Sequence, residues 1–506
     1  MEPANLHPAA ADIAPGTKKQ TGTASECPGS INFAGERLSV SSQTTMNLPD
    51  AFTEEMASTL GATETDRLVA ALDSEPPVSI RLNPKKDVRP AGAAEGVPWS
   101  STGYYLTARP AFTFDPLLHA GCYYVQEAAS MFIEQAFRAL DTPPRRVLDL
   151  CAAPGGKSTL WRSLLDDDCL LVANEPLRAR AAILAENLLK WGHPNICVTS
   201  GYPSQFAPLT GFFDVVAADV PCSGEGMFRK DPAAIDEWQP GSPALCAARQ
   251  RDIVADVWPA LRTGGYLVYS TCTFNRAEDE DNVRWIADEL GAEVVDLRAT
   301  PSWGIAGSTY DDGLAVNHFF PHRTRGEGFF LALLRKTAEP PASTRRRKKT
   351  PRKPAATVPK VCREWLSGDF TFSLTEKGIS ALPAATADDM ERVAETVRPV
   401  LLGVPLGTDK GRKFQPAPTL PLSTALRPDA FPRVGLDYAD AIAYLRREAI
   451  VPSTAARGHC VVTYQNRALG FVNHLGARAN NLYPVEWRIR SSHGPDTPPG
   501  VVEPNP

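Results

Sequence analysis

Between Arg145 and Lys336, short apolar runs alternate with longer amphipathic ones. Strand-like "RRVLDLCA" precedes helix-like "KSTLWRSLL", and "LLVANEP" precedes "RARAAILAENLLKWG". Then come "NICVTS", "FDVVAADVPC", "GYLVYSTCT", "AEVVDL" and "GFFLALLRK", with helix-like "QRDIVADVWPALRTGG" and "RAEDEDNVRWIADELG" interposed. Runs that are apolar throughout are strands buried on both faces. Helices between them force a parallel sheet covered on both sides. The pattern predicts an α/β, doubly wound, Rossmann-like sheet that closes by Lys336.

The 506 residues exceed one ordinary core; at roughly 150 residues per domain they suggest two to four domains. Residues 1–45, rich in Ala, Pro, Thr, Ser and Gly, read as a disordered tail. Helical patterning begins just after Met46, which is an alternative starting residue. Residues 46–120 form a leading region, expected to bind RNA, and 121–336 the main domain. Residues 337–360 form a Pro-rich linker with a basic block from Arg345 to Lys349. Such a block is a solvated linker or a nucleic-acid arm. Residues 361–490 predict a compact α+β or β module, and 491–506 a loose tail.

The net charge of −5 advertises no global affinity for nucleic acid, so any basic surface is local. No apolar run reaches the roughly 18 residues of a membrane span, and the N-terminus has no apolar signal region. The ten cysteines show no C-x-x-C pair and no metal-ligand spacing, the usage of a reducing cytosol. A cytoplasmic protein without a metal is expected. No hydrophobic seam predicts a dimer, so a monomer is expected.

The first strand runs into "DLCAAPGGKST". A glycine-rich turn before a helix N-terminus cradles a negative group. A phosphate loop would need glycine where Cys151 stands, and the dinucleotide fingerprint G-x-G-x-x-G is absent. The third option is a nucleoside with an amino-acid tail, such as S-adenosylmethionine. It needs an acid at the next strand tip for the ribose hydroxyls, and Glu175 in "VANEP" stands there. An ordinary tight turn with a surface acid is the plainer alternative.

Two later strands each end on a cysteine, "DVPC" at Cys222 and "YSTCTF" at Cys272. In a doubly wound sheet both thiols face the crevice that holds the glycine turn. Either alone reads as packing. Together, beside Asp219, they suit covalent catalysis on a pyrimidine. Cytosine C5 is a poor nucleophile. A thiolate added to C6 turns the ring into an enamine whose C5 attacks a methyl sulfonium. An ordinary thiol is only a few per cent ionised at neutral pH, so the site must assist its deprotonation. An acid, here Asp219, must hold N3 and the exocyclic amine. A base must then take the C5 proton.

These stretches resemble the Sun-type (Nol/Nop/Sun) RNA cytosine-C5 methyltransferases. The shared segments are "SIRLNP", "YYVQEAAS", "VLDLCAAPGGKS", "ANEPLRAR", "DVPCSGEGMFRKDP", "ARQRDIV", "LRTGGYLVYSTCTFNRAEDE" and "EGFFLALLRK". The resemblance implies that Cys272 is the nucleophile and that Cys222 assists release of the methylated RNA. DNA cytosine methyltransferases use the Pro-Cys cysteine as nucleophile instead, so the second cysteine argues for RNA. It also implies that Cys151, Ala152, Ala153, Pro154, Gly155, Gly156 and Lys157, with Glu175, Arg180 and Asp219, line the S-adenosylmethionine side. One departure is "VTSGYPSQF", where the family carries an acid near the adenosine; Gly201-Tyr202 stands here instead, and Tyr202 flanks the adenine on this reading.

The last third resembles the C-terminal extension of bacterial ribosomal-RNA members, with a PUA-like end. Arg467, Arg478, Arg488 and Arg490 lie among Tyr464, Phe471, Tyr483 and Trp487, a mixture that suits phosphates and stacked bases or, equally, a core with a charged rim. Ribosomal RNA is the expected substrate. Transfer RNA methylation and a catalytically idle ribosome-assembly role are the alternatives.

Overall fold

The computed structural model describes residues 46–337, 358–411, 414–451, 454 and 456–505. The expected disordered tail and the Arg345–Lys349 block lie outside the described residues.

The central sheet runs in the order Ala292–Val295, Phe329–Lys336, Leu261–Thr271, Phe213–Asp219, Arg146–Asp149, Leu170–Asn174, Ile196–Thr199, Pro399–Leu402, and Asn317–Phe319 pairs onto Phe329–Lys336. From Leu261–Thr271 through Ile196–Thr199 every pairing is parallel. The Arg146–Asp149 strand sits between Phe213–Asp219 and Leu170–Asn174, so the chain reverses its direction of travel there. That reversal opens a crevice at the strand tips.

Two expectations about this sheet change. The strand "GFFLALLRK" runs antiparallel to both neighbours. A parallel return needs a helical crossover, and the described residues between Val295 and Phe329 hold only a 3-10 turn and a short strand. Nor does the sheet close at Lys336, because Pro399–Leu402 adds antiparallel to Ile196–Thr199. Successive strand residues face opposite sides: Leu401 joins the core on one face and Leu402 the core on the other. The Ala387–Thr396 helix brings Met390 and Val393 into the second core. The module after the linker therefore shields an edge that would otherwise offer unpaired backbone.

The leading region serves two places. Helices Asp50–Leu60 and Ala62–Leu72 bury Phe52, Met56, Leu68 and Leu72 against Phe228 and Trp238 from the segment after Cys222, Phe274 from the loop after Cys272, and Phe320, which follows the strand Asn317–Phe319. The strands Val78–Leu82, Gly103–Leu106 and Tyr123–Val125 share one core with Val434, Tyr444, Cys460 and Tyr483 from the far end of the chain.

The segment expected as a loose tail is ordered. Val502–Pro504 pairs with Val88–Pro90, and Val501 and Val502 are buried. Two adjacent valines give this Pro-rich end enough apolar surface to hold an edge position. The C-terminal aromatics separate by burial. Tyr464, Phe471 and Tyr483 are core side chains and offer no face to a base. Trp487 is half-buried under the Lys190 ammonium. Arg478, Arg488 and Arg490 are exposed, while Arg467 donates to the Lys86 and Asp87 carbonyls and ties the two ends of the chain together. Among the described residues no helix is long and apolar enough to cross a membrane.

Ending the chain at Lys336 should destabilise the central sheet. It removes Met390, Val393, Val397, Leu401 and Leu402 from the cores; several buried side chains at about 2–5 kcal/mol each exceed the margin of a typical domain. The truncated protein should melt far below the full chain and associate in size-exclusion chromatography. An unchanged Tm with a monomeric profile would show that the added strand contributes nothing.

Candidate active site

The pairing of Phe213–Asp219 with Leu261–Thr271 sets Asp219 beside Ser270. Three residues on, Cys222 leaves one strand tip while Cys272 leaves the next. Their sulfurs lie 3.1 Å apart, and the Cys272 amide N–H donates to Cys222 Sγ at 3.4 Å. Cys222 is buried and Cys272 is partly open. The hydrogen bond with Cys272, then burial, hold the Cys222 thiol well above the ordinary cysteine range.

Asp219 lies at the head of this pair. Its Oδ1 accepts from Ser270 Oγ at 2.9 Å and its Oδ2 from Lys157 Nζ at 2.8 Å. Burial works against the Lys157 ammonium, but Asp219 outweighs it, with Cys272 and Asp149 adding, and the net shift is upward. Lys157, expected on the cofactor side, thus reaches across to the carboxylate beside the thiols. Backbone glycines bring the loops together. The Gly226 N–H donates to the Cys272 carbonyl at 2.9 Å, and a Cβ there would sit 2.8 Å from that oxygen and from Gly328 Cα.

The turn Cys151–Gly156 lies at the tip of the adjoining strand. Gly155 takes φ +118, a region costly for side chains, and Gly156 opens the helix Gly156–Leu164. The Ala152 amide donates to the Asn174 carbonyl, Arg180 Nη2 to the Ala153 carbonyl, and Asn187 Nδ2 to the Pro154 carbonyl. Burial pushes the Cys151 thiol up, and Asp219 adds to the shift. Glu175 follows the Leu170–Asn174 strand, buried, accepting from the Leu177 amide at 3.0 Å with Arg180 Nε 3.6 Å from its other oxygen. Burial raises its carboxyl above the usual range. Tyr202 is 67% exposed at the tip of the third strand. The turn is glycine-lined, free amides open one helix, and an acid sits at the neighbouring tip. This donor set fits a nucleoside with an amino-acid tail.

Several supporting residues escaped the sequence reading. Asn174 links three strand tips: its Nδ2 donates to the Leu150 and Gly201 carbonyls, and its Oδ1 accepts from Thr199 Oγ1 and the Gly201 amide. A polar residue closing the apolar run "LLVAN" was the available signal. Burial pushes Asp149 up to about 7, and Ser158 donates to it at 2.6 Å. Beneath the cysteines, Glu225 accepts from Thr273 Oγ1 (2.6 Å) and the Phe274 amide (3.0 Å). Glu278 accepts from the Ser223 amide (3.1 Å) and Gln250 Nε2 (2.6 Å). Asn275 Nδ2 lies within 3.1 Å of both carboxylates. Burial, reinforced by Glu225, raises Glu278 to about 7. No group of three or more potential metal ligands occurs among the described residues.

Comparisons with known proteins agree with this layout. The family described as 16S rRNA methyltransferase RsmB/F matches residues 140–335, the N-terminal domain of 16S rRNA methyltransferase RsmF matches 48–128, and the RsmF PUA domain matches 431–489. The chain is 34% identical to Ribosomal RNA small subunit methyltransferase F of Cronobacter sakazakii, over 87% of this chain and 96% of that protein. It is 31% identical to the protein of the same name from Escherichia coli O139:H28, over 88% and 97%. The crystal structure of PH0851 shares the fold, with a TM-score of 0.52 at 22% identity, covering 57% of this chain and 66% of that one. With the sheet, the flanking domains and the curated relatives in agreement, the chain belongs to the RsmB/F family of S-adenosylmethionine-dependent rRNA methyltransferases.

Proposed function

We propose that the chain methylates C5 of a cytosine in small-subunit ribosomal RNA through a covalent bond between Cys272 Sγ and C6 of the base. The observation that carries this reading is the pair of sulfurs 3.1 Å apart beside the Lys157–Asp219 pair. The relatives' names point to small-subunit RNA as substrate, and the cytoplasm is the setting that suits it.

Cys272 is the more open of the two thiols, and the Lys157 ammonium interacts electrostatically with it. Asp219, with both oxygens held, is oriented toward N3 and the exocyclic amine, where charge builds as the sulfur adds to C6. S-adenosylmethionine supplies an electrophilic methyl group. On this reading Cys151–Gly156 hold its amino-acid end, with Arg180 bracing the Ala153 carbonyl, and Glu175 takes the ribose hydroxyls. Cys222, 3.1 Å from the Cys272 sulfur, acts in release: once its own proton has passed to solvent or a neighbouring base, it takes the C5 proton as the Cys272–C6 bond breaks and the Cys272 sulfur leaves as a thiolate. The target base must leave its stack to reach Cys272, at a cost of a few kcal/mol when it starts paired. A loop or an exposed assembly intermediate lowers that cost. The exposed Arg478, Arg488 and Arg490 suit phosphate contacts.

Cys272→Ala should abolish methyl transfer from labelled cofactor to ribosomal RNA while cofactor affinity stays within a few-fold; near-normal turnover would remove Cys272 from the covalent role. Cys222→Ala should transfer the methyl group and then retain the RNA, visible as a protein–RNA band on a denaturing gel. That band should vanish in the double variant, and its survival there would overturn the assignment. Glu175→Ala should weaken cofactor binding by about 1.5–3 kcal/mol, roughly ten- to a hundredfold in Kd. Unchanged affinity in calorimetry would leave Glu175 without a ligand role.

A further inference from the structure

The segment "SIRLNP" plays no part in the reaction described above, yet it places an arginine in the interior. Arg81, on the strand Val78–Leu82, is fully buried. Among the described residues no carboxylate lies within ion-pair distance of it. Its Nε donates to Gln126 Oε1 at 2.7 Å and its Nη1 to Ser163 Oγ at 3.3 Å. Nη2 donates to Thr159 Oγ1 at 2.6 Å and to the Gly156 carbonyl at 3.3 Å. The guanidinium lies over the Trp191 ring at 4.6 Å. Burial pulls it down to about 9, which leaves it charged at neutral pH.

Two of these partners, Thr159 and the Gly156 carbonyl, lie on the first turn of the helix Gly156–Leu164, while Ser163 lies in its last turn and Gln126 follows the strand Tyr123–Val125. Thr159 Oγ1 accepts from Arg81 and donates to the Gly156 carbonyl at 3.0 Å, so that carbonyl is held twice. A peptide unit is planar and trans. Fixing the Gly156 oxygen therefore fixes the N–H of Lys157 on the opposite side of the same plane, directed out of the helix N-terminus. Tyr124, the strand partner of Arg81, completes the support: a Cβ on Gly156 would lie 3.2 Å from its ring.

We infer that Arg81 is a positioning residue for the cofactor: through Thr159 and the Gly156 carbonyl it orients the amides that receive the carboxylate of the amino-acid tail, so that the N-terminal strands complete the cofactor site. The inference rests on the placement of the cofactor at Cys151–Gly156. Asn83, two residues on, supplies an internal control. It donates to the Gly121 carbonyl and to that of Trp191, the last residue of the helix Arg178–Trp191.

The test measures binding of S-adenosylmethionine and of 5′-methylthioadenosine, which lacks the amino-acid tail, to the full chain and to Arg81→Gln, Arg81→Lys, Thr159→Val and Asn83→Ala. Arg81→Gln should weaken S-adenosylmethionine about tenfold, the worth of a hydrogen bond to a charged group, and Thr159→Val about fivefold. Both should bind 5′-methylthioadenosine within about twofold of the parent, and the KM for RNA should not move. Arg81→Lys should fall between parent and Gln. Asn83→Ala should lower Tm while leaving both ligands unchanged. Equal losses for the two ligands, or no loss in Arg81→Gln, would overturn the inference. If Arg81→Gln does not fold, Arg81→Lys and Thr159→Val carry the same comparison. Should Glu175→Ala weaken the cofactor while these variants do not, this inference alone fails. Should none of them weaken it, the cofactor's placement fails too.

Discussion

The parallel register of Phe213–Asp219 on Leu261–Thr271 is the constraint on which the site depends. It sets Asp219 opposite Ser270, so the two chains leave the sheet side by side and their cysteines meet at 3.1 Å. Side chains alternate faces along a strand, so a slip of one residue would send either the carboxylate or its serine partner to the wrong side. Apolar burial on both faces enforces the register: Val216, Ala218, Leu267 and Tyr269 pack in one core, Val215, Ala217, Tyr266 and Val268 in the other. The geometry at the tips is thus specified by packing deeper in the sheet.

The loops beyond the tips are held by polar groups. Glu225 and Glu278 are wholly buried, and together they bind the chain around Ser223 to the chain around Thr273 and Asn275. Burial makes the charged form of the Glu278 carboxylate costly, and the neighbouring Glu225 adds to that cost. The rise of Glu278 to about 7 has that origin. What such a network supplies is direction. Apolar packing tolerates small rotations of a loop, whereas hydrogen bonds to two carboxylates fix backbone amides on either side of the sulfurs. The helices Asp50–Leu60 and Ala62–Leu72 then close over Phe228 and Phe274, so the leading region supports the cysteine-bearing loops from outside.

Much of this was legible in the sequence for a physical reason. The catalytic strands are buried on both faces, so every position is apolar and each strand announces itself; the crossover helices between them leave one parallel arrangement. The cysteines, Asp219, the glycine turn and Glu175 were readable because each falls at a strand end, where topology fixes the location. What could not be read lies where partners are distant in sequence. Pro399–Leu402 is a brief apolar stretch with no mark of the edge it joins. Val502–Pro504 pairs with Val88–Pro90 across nearly the whole chain. The tyrosines and phenylalanine of the C-terminal module left a stacking platform and a core equally open, because composition cannot separate an exposed ring from a buried one; the structure puts all three in the core.

Those distant pairings give the molecule an unusual division of labour. The ends of the chain share one core, in which Ile80 and Tyr123 lie with Tyr444, Tyr483 and Val502. The same N-terminal strand that enters this core sends Arg81 to the helix Gly156–Leu164, and Asn83, just past its end, reaches the last residue of the helix Arg178–Trp191. A surface module would be free to move against the catalytic sheet, since interfaces between domains are commonly small and polar. Here the contact is made by a buried guanidinium with four hydrogen-bonded partners, which loses its solvation if the surfaces separate without water entering. The core shared by the two ends of the chain and the helix that follows the glycine turn are therefore joined through one strand, so a displacement of that shared core would be felt at the strand tips.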